Sequence, residues 1–268
     1  MDDVNKFFEI NRKAWNKKTD VHITSEFYDN ENFIKGKSSL KHIETELLGN
    51  LKGKNILHLQ CHFGQDSISL AREGAFVTGV DFSENAISKA KELAVLTGTN
   101  DSTEFICSDI YELKNKLDKK FDIVYTSYGV IGWLPDLEKW AAIISHYLKP
   151  GGKFVMVEFH QVLWMYDDNF DFFKYDYFNL REIRETLEGT YADRKAPIKN
   201  EYVMWNHSLS EVINNLIKSG LEIKTFEEYD YSLYDCFNKS YEYETGRFRV
   251  KGFNMSMPMM FSVTALKK

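Results

Sequence analysis

Asp81 and Asp109 are the residues whose placement first suggests chemistry. Asp81 directly follows the apolar run Phe76–Val80, and Asp109 comes just after Phe105–Cys107. A carboxylate at the carboxyl end of a strand in a βαβ unit can accept both hydroxyls of a ribose in charge-assisted hydrogen bonds. Asp81 is read in that role, because Ser83 already supplies a cap for the helix that follows. Asp109 ends the next strand in the same topological position. It is read as the acceptor for an adenine amino group, with Ile110 against the ring.

The turn ahead of Asp81 narrows the ligand. It runs Leu59-Gln60-Cys61-His62-Phe63-Gly64-Gln65. A dinucleotide fingerprint needs three glycines so that the backbone can approach a pyrophosphate. Here Gln60 and His62 stand where small residues are expected, and Gly64 alone remains. That argues against NAD or FAD. A nucleoside without phosphates asks less of the turn.

The elements that must hold these residues alternate from Lys54 onward. Apolar runs predict strands at 54–60, 76–81, 103–107, 121–127 and 152–159. Helical spacing predicts helices at 66–73, 83–97 and 136–148, with a short one near 110–117. Pro150-Gly151-Gly152 ends one helix and launches the next strand. Strands separated by helices imply a parallel sheet covered on both faces, an α/β fold. Before it, 3–17 has helical spacing, 16–37 reads as polar and irregular, and Ser38 or Ser39 caps a helix that ends at Gly49. After it, 160–207 breaks the rhythm with many aromatics. Ser208 and Glu211 then form a capping box for a helix ending at Gly220. Strands near 221–228 and 260–266 close the chain, separated by an aromatic stretch at 229–259. The division expected is a helical cover over 1–50 and one domain over 51–268, with 160–207 as an insert.

Composition sets the outer bounds. The 268 residues are 43% hydrophobic, 28% charged and 15% aromatic, which suits a globular core. A formal net charge of −6 argues against a nucleic-acid surface. Cys61, Cys107 and Cys236 match no metal-ligand spacing, so no metal is expected, and the odd thiol points to a reducing compartment. No stretch is long and apolar enough for a membrane span, and the first residues carry no secretory h-region; a cytoplasmic protein is expected.

The segments ILHLQCHFG (56–64), VTGVDFS (77–83), FICSDI (105–110), FDIVYTSYGVIGWL (121–134) and LKPGGKFVMVE (148–158) together resemble a class I S-adenosylmethionine-dependent methyltransferase. The resemblance covers about 54–160 and, more weakly, 208–228 and 260–266. It implies a seven-stranded doubly wound, Rossmann-like sheet whose last strand is antiparallel, and S-adenosyl-L-methionine as cofactor. Carried over by position, Gln60, His62 and Gly64 cradle the methionine portion. Asp81 and Phe82 take the ribose, Asp109 and Ile110 the adenine, and Ser127 and Tyr128 border the methyl group. The family's first loop has an acid and further glycines where this chain has His58, Gln60 and His62. The backbone there is expected to do what glycine backbone does, with both side chains turned toward the amino-terminal cover.

The implied reaction is in-line methyl transfer to a small-molecule acceptor, which needs positioning and exclusion of water. A base is required only for a nucleophile protonated at neutral pH. Glu158 and His160, at the carboxyl end of the fifth strand, are the candidates; Tyr128 is a candidate wall of the methyl channel, since an aromatic face tolerates a cation. His22 and His207 read as structural. The 160–207 insert is expected to cover the substrate, with Asp167, Asp168, Asp171 and Asp176 on a solvated face. A nicotinamide-dependent oxidoreductase and a non-catalytic cofactor sensor are the alternatives. The acceptor atom and the oligomeric state stay open.

Overall fold

The computed structural model describes residues 2–253 and 255–268. Three helices come first: α1 (Asp2–His22), α2 (Asn30–Ile34) and α3 (His42–Leu48). The alternating part follows as β1 (Asn55–Leu59), α4 (Gln65–Arg72), β2 (Phe76–Asp81), α5 (Glu84–Leu96), β3 (Thr103–Cys107), β4 (Phe121–Ser127), α6 (Leu137–Tyr147) and β5 (Leu148–Phe159). Beyond it lie β6 (Ile183–Glu188), β7 (Lys199–Met204), α7 (Leu209–Lys218), β8 (Leu221–Tyr229), β9 (Ser240–Glu244), β10 (Arg247–Val250) and β11 (Met260–Lys267). Short 3-10 turns occupy Ile110–Asn115, Ile131–Trp133 and Gln161–Met165.

Seven strands form one sheet in the order β3-β2-β1-β4-β5-β11-β8. β1 to β5 pair in parallel, while β11 runs antiparallel to both β5 and β8. The fold is therefore the Rossmann-like methyltransferase sheet with a reversed last strand. On one face Trp140, Ile144, Val212 and Leu216 of the helices pack against Leu57, Val124, Phe154 and Phe261 of the strands. On the other, Leu48, Leu70 and Ala71 meet Ile56, Ile123 and Val155. Strands apolar on both faces need such double cover, because their continuous runs leave no face fit for water.

Some boundaries differ from expectation for identifiable reasons. β5 begins at Leu148 rather than 152, and the register shift between Phe121 and Ile123 on β4 accommodates the Pro-Gly-Gly step. α3 starts at His42, because Ser39 is used elsewhere: its hydroxyl donates to Asp66 at 2.6 Å. α1 runs past 17 to His22, and 16–37 contains α2, whose Phe33 is buried. The 160–207 insert holds an antiparallel hairpin, β6 with β7, and the 229–259 stretch holds another, β9 with β10.

α1 closes the top of the molecule. Its buried face carries Phe7, Asn11, Ala14, Lys18 and His22, spaced at helical intervals. The Asn11 amide bonds both ways with the Val203 backbone of β7, donating to the carbonyl at 2.7 Å and accepting from the N–H at 2.9 Å. The N-terminal helix and the insert hairpin thus form one cover over the carboxyl ends of the strands.

Candidate active site

A cavity of about 580 Å³ lies under this cover, lined at its base by the loops that leave β1, β2, β3, β4 and β5. In open α/β sheets a ligand binds outside the carboxyl ends of the strands, beside the reversal of strand order. Here that reversal falls between β1 and β4.

In the loop after β1, Gln60 and His62 both adopt left-handed backbone, at φ 56° and 52°, followed by Gly64 at 82°. Non-glycine residues rarely hold that conformation without support. His62 has it: its N–H donates to Asp81 Oδ2 at 2.9 Å, while Ser83 N–H donates to Asp81 Oδ1 at 2.9 Å. Asp81 therefore locks the loop, and each of its oxygens keeps acceptor capacity for a ligand. Burial pushes its carboxyl up to about 6, against the opposing pull of those backbone donors. The His62 ring turns to the N-terminal cover, as expected: its Nε2 is 3.3 Å from His22 Nδ1, and Trp15 meets it edge-on at 5.3 Å. Gln60 departs from expectation. Its amide donates to the Val130 carbonyl at 2.9 Å, tying the β1 loop to the β4 loop.

Packing beneath the loop is tight. A Cβ on Gly64 would stand 2.8 Å from the Phe105 ring, and one on Gly79 of β2 would meet Phe105 at 2.8 Å and Cys61 Sγ at 2.9 Å. Phe82 and Ile110 line the cavity near Asp109. Asp109 caps the turn at Ile110–Asn115, accepting from Tyr111 N–H at 2.9 Å through Oδ1, which leaves Oδ2 for another donor. Burial raises its carboxyl above the usual range.

The loops after β4 and β5 are built differently. Glu158 is fully buried, and its carboxylate accepts from the N–H groups of Gly129, Val130 (2.8 Å), Ile131 (3.4 Å) and Phe159 (2.7 Å). Its work is to hold the loop after β4, including Tyr128, whose backbone is left-handed at φ 40°. Burial raises the Glu158 carboxyl and the four donors oppose it. His160 does not line the cavity. Its Nε2 pairs with Glu228 at 2.8 Å and its Nδ1 accepts from Val162 N–H at 3.2 Å. His207 is likewise turned inward, 2.8 Å from the Leu134 carbonyl. Ser127 donates to Asp66 Oδ2 at 3.2 Å, and Asp66 itself lines the cavity.

Several lining residues escaped the sequence reading. Asp66 looks like an ordinary first-turn helix acid, and its link to Ser39 and Ser127 exists only in the fold. Lys18 is marked in the sequence only by Trp15 three residues before it and His22 four after it, which share its helix face. Tyr28, Tyr191, Tyr202 and Tyr234 also line the space. Among the described residues no group of acids, histidines and cysteines is arranged to hold a metal. No helix among them is long and apolar enough to cross a membrane.

A methyltransferase-domain family model matches residues 50–227, and the chain belongs to that family. Over 114 residues it is 35% identical to a ubiquinone biosynthesis O-methyltransferase of Coxiella burnetii, a stretch covering 42% of this chain and 46% of that protein. The chain thus spans about half the length of the curated relatives it matches. Among solved structures, it is similar to a putative S-adenosylmethionine-dependent methyltransferase from Listeria monocytogenes, with TM-score 0.58, 19% identity, and coverage of 85% of this chain and 97% of that one. An S-adenosylmethionine-dependent methyltransferase from Clostridium acetobutylicum gives TM-score 0.58 at 17% identity, covering 95% of this chain and 99% of its own. At such identities the likeness is one of fold.

Proposed function

We propose that the chain is an S-adenosylmethionine-dependent methyltransferase acting on a small molecule by in-line transfer. The observation carrying this reading is the locked loop: left-handed Gln60 and His62, fastened by a buried Asp81 that still has lone pairs for ribose hydroxyls. The donor set fits the cofactor. Asp81 and Phe82 would take the ribose, Asp109 and Ile110 the adenine, and the Gln60–Gly64 backbone the methionine portion, with Ser127 and Tyr128 at the methyl end. The Gln60 Oε1 atom is buried without a hydrogen-bond partner, an acceptor suited to an ammonium group. Bound S-adenosylmethionine supplies a sulfonium methyl that is already electrophilic, so no covalent enzyme intermediate is called for.

The protein's own task is placement and dryness, worth up to about 7–11 kcal/mol in favourable cases. Glu158 positions the β4 loop and has its acceptors filled by backbone, so it is a positioning residue and not a base. His160 holds the start of the insert. Asp66, which lines the cavity and is oriented by Ser39 and Ser127, is assigned the role of taking a proton from an acceptor. The insert 160–207 covers the acceptor. Three free cysteines support a reducing, cytoplasmic setting.

Calorimetry with S-adenosylmethionine and S-adenosylhomocysteine tests the reading. Wild type should bind both and Asp81→Ala should bind neither well. Failure of wild type to bind either at millimolar concentration would end it, and NADH binding by fluorescence would put the oxidoreductase in its place.

A further inference from the structure

Lys18 is a buried cation without an anion. It is 7% exposed, it forms no ion pair among the described residues, and its side chain lines the cavity. Its ammonium sits among aromatic rings, 4.3 Å from the Tyr202 centroid, 4.6 Å from Trp15, 5.3 Å from Trp133 and 5.8 Å from Tyr191. Ring faces attract a cation but do not neutralise it. A charge held out of water with no partner is costly, and a cavity wall is where a ligand can supply the partner.

The course of α1 says which part of a ligand that would be. Asn16 Oδ1 accepts from Ser83 Oγ at 2.6 Å and from Asn85 N–H at 3.2 Å, and Arg12 pairs with Glu84. These contacts seat the helix on the residues just after Asp81, on the nucleoside side. Trp15 then leans on His62, so Lys18 lies by the Gln60–Gly64 loop, and its charge is felt by the His62 ring. If the cavity holds an adenosyl cofactor, as proposed above, the anionic group on that side is the amino-acid carboxylate. We propose that Lys18 binds the cofactor's carboxylate and that this contact fastens α1 over the loop.

A pH dependence follows. The titratable groups facing Lys18 are His22 on α1, His62 on the β1 loop, Tyr191 after β6 and Tyr202 on β7. Burial and the Lys18 charge hold His22 far below, and His62 at about 3; burial raises both phenols. All four are neutral near pH 7. Burial brings Lys18 itself down to about 7, so within this set of facing groups it alone titrates there. A carboxylate binds the protonated amine, raising its pKa. The Lys18 contribution to affinity is therefore full below pH 7 and falls as pH rises past it, and binding at pH 8 takes up a proton.

Calorimetry of S-adenosylhomocysteine against 5′-methylthioadenosine, which has the nucleoside and thioether but no amino acid, reads this directly. Lys18→Met should weaken S-adenosylhomocysteine about 10–100-fold and methylthioadenosine by less than about threefold, and Lys18→Arg should recover most of the loss. At pH 8, buffers of different ionisation heat should show proton uptake in wild type and none in Lys18→Met. Equal binding of S-adenosylhomocysteine by both proteins, equal losses for the two ligands, or no proton uptake would overturn the assignment. A comparison needing no variant uses the decarboxylated homologue of S-adenosylhomocysteine: wild-type binding as tight as that of the parent overturns it too. If wild type binds no adenosyl ligand at all, the cofactor reading fails and Lys18 falls with it.

Discussion

Asp81 and Glu158 are both buried carboxylates that end a strand at the cavity, and they are used in opposite ways. Asp81 accepts two backbone donors, one on each oxygen, and lines the cavity with the rest of its acceptor capacity unfilled. Glu158 accepts four and is saturated. The contrast teaches that an acid at a strand end is not a site by position alone. Its remaining lone pairs decide whether it serves a ligand or a loop.

Under the proposed function, proton acceptance belongs to Asp66 and not to the occupied Glu158. With an acceptor protonated at neutral pH, Asp66→Asn should lower turnover about 10²–10⁴-fold while leaving S-adenosylhomocysteine affinity nearly unchanged. A turnover loss of that size in Glu158→Gln, with stability intact, would reverse the assignment. Asp81→Ala removes the two charge-assisted bonds proposed to the ribose and should raise the Kd for S-adenosylhomocysteine on the order of 100-fold by calorimetry. The same acid sets a pH dependence. Its folded pKa of about 6 lies above the ordinary 3.8, so the folded chain holds that proton more tightly and stability falls as pH rises from about 4 to 6. Ribose hydroxyls favour the ionised form, so cofactor affinity should rise across that interval, measurable by calorimetry at pH 5 and 6.5. Glu158→Gln leaves buried backbone donors facing an amide and should cost about 2–3 kcal/mol in denaturant unfolding, with cofactor affinity nearly unchanged. Smallest of all, Gln60→Gly relieves left-handed strain of about 1 kcal/mol but loses the bond to Val130 of similar size, so Tm should hardly move.

The sheet from Lys54 to Phe159 was legible because each strand and helix carries its own hydrophobic period. Asp81 and Asp109 were legible because their neighbours in sequence fix where they stand. The β6–β7 hairpin was not. Ile183, Glu185 and Leu187 do alternate with Arg184, Thr186 and Glu188, but the aromatics crowding the insert concealed the pattern. Glu158 and His160 stand as candidate proton carriers in the sequence, since nothing local shows that backbone from 129–131 or Glu228 fills their bonding capacity. Lys18 eluded reading for a related reason: its ring of Trp133, Tyr191 and Tyr202 comes from segments more than a hundred residues away. The Gln60 side chain, expected against the cover, found a carbonyl in the β4 loop instead.

The pairing of Asn11 with Val203 bears on how the molecule comes together. α1 is made first, yet its partner strand emerges only after the core strands β1 to β5 have been completed. Loop-closure entropy grows with the length of chain between partners, so that contact belongs to the late steps of folding. β11 also arrives late, and until it inserts between β5 and β8 the β5 edge is an open template for stray pairing. The nascent chain therefore finishes β1 to β5 long before it can roof them.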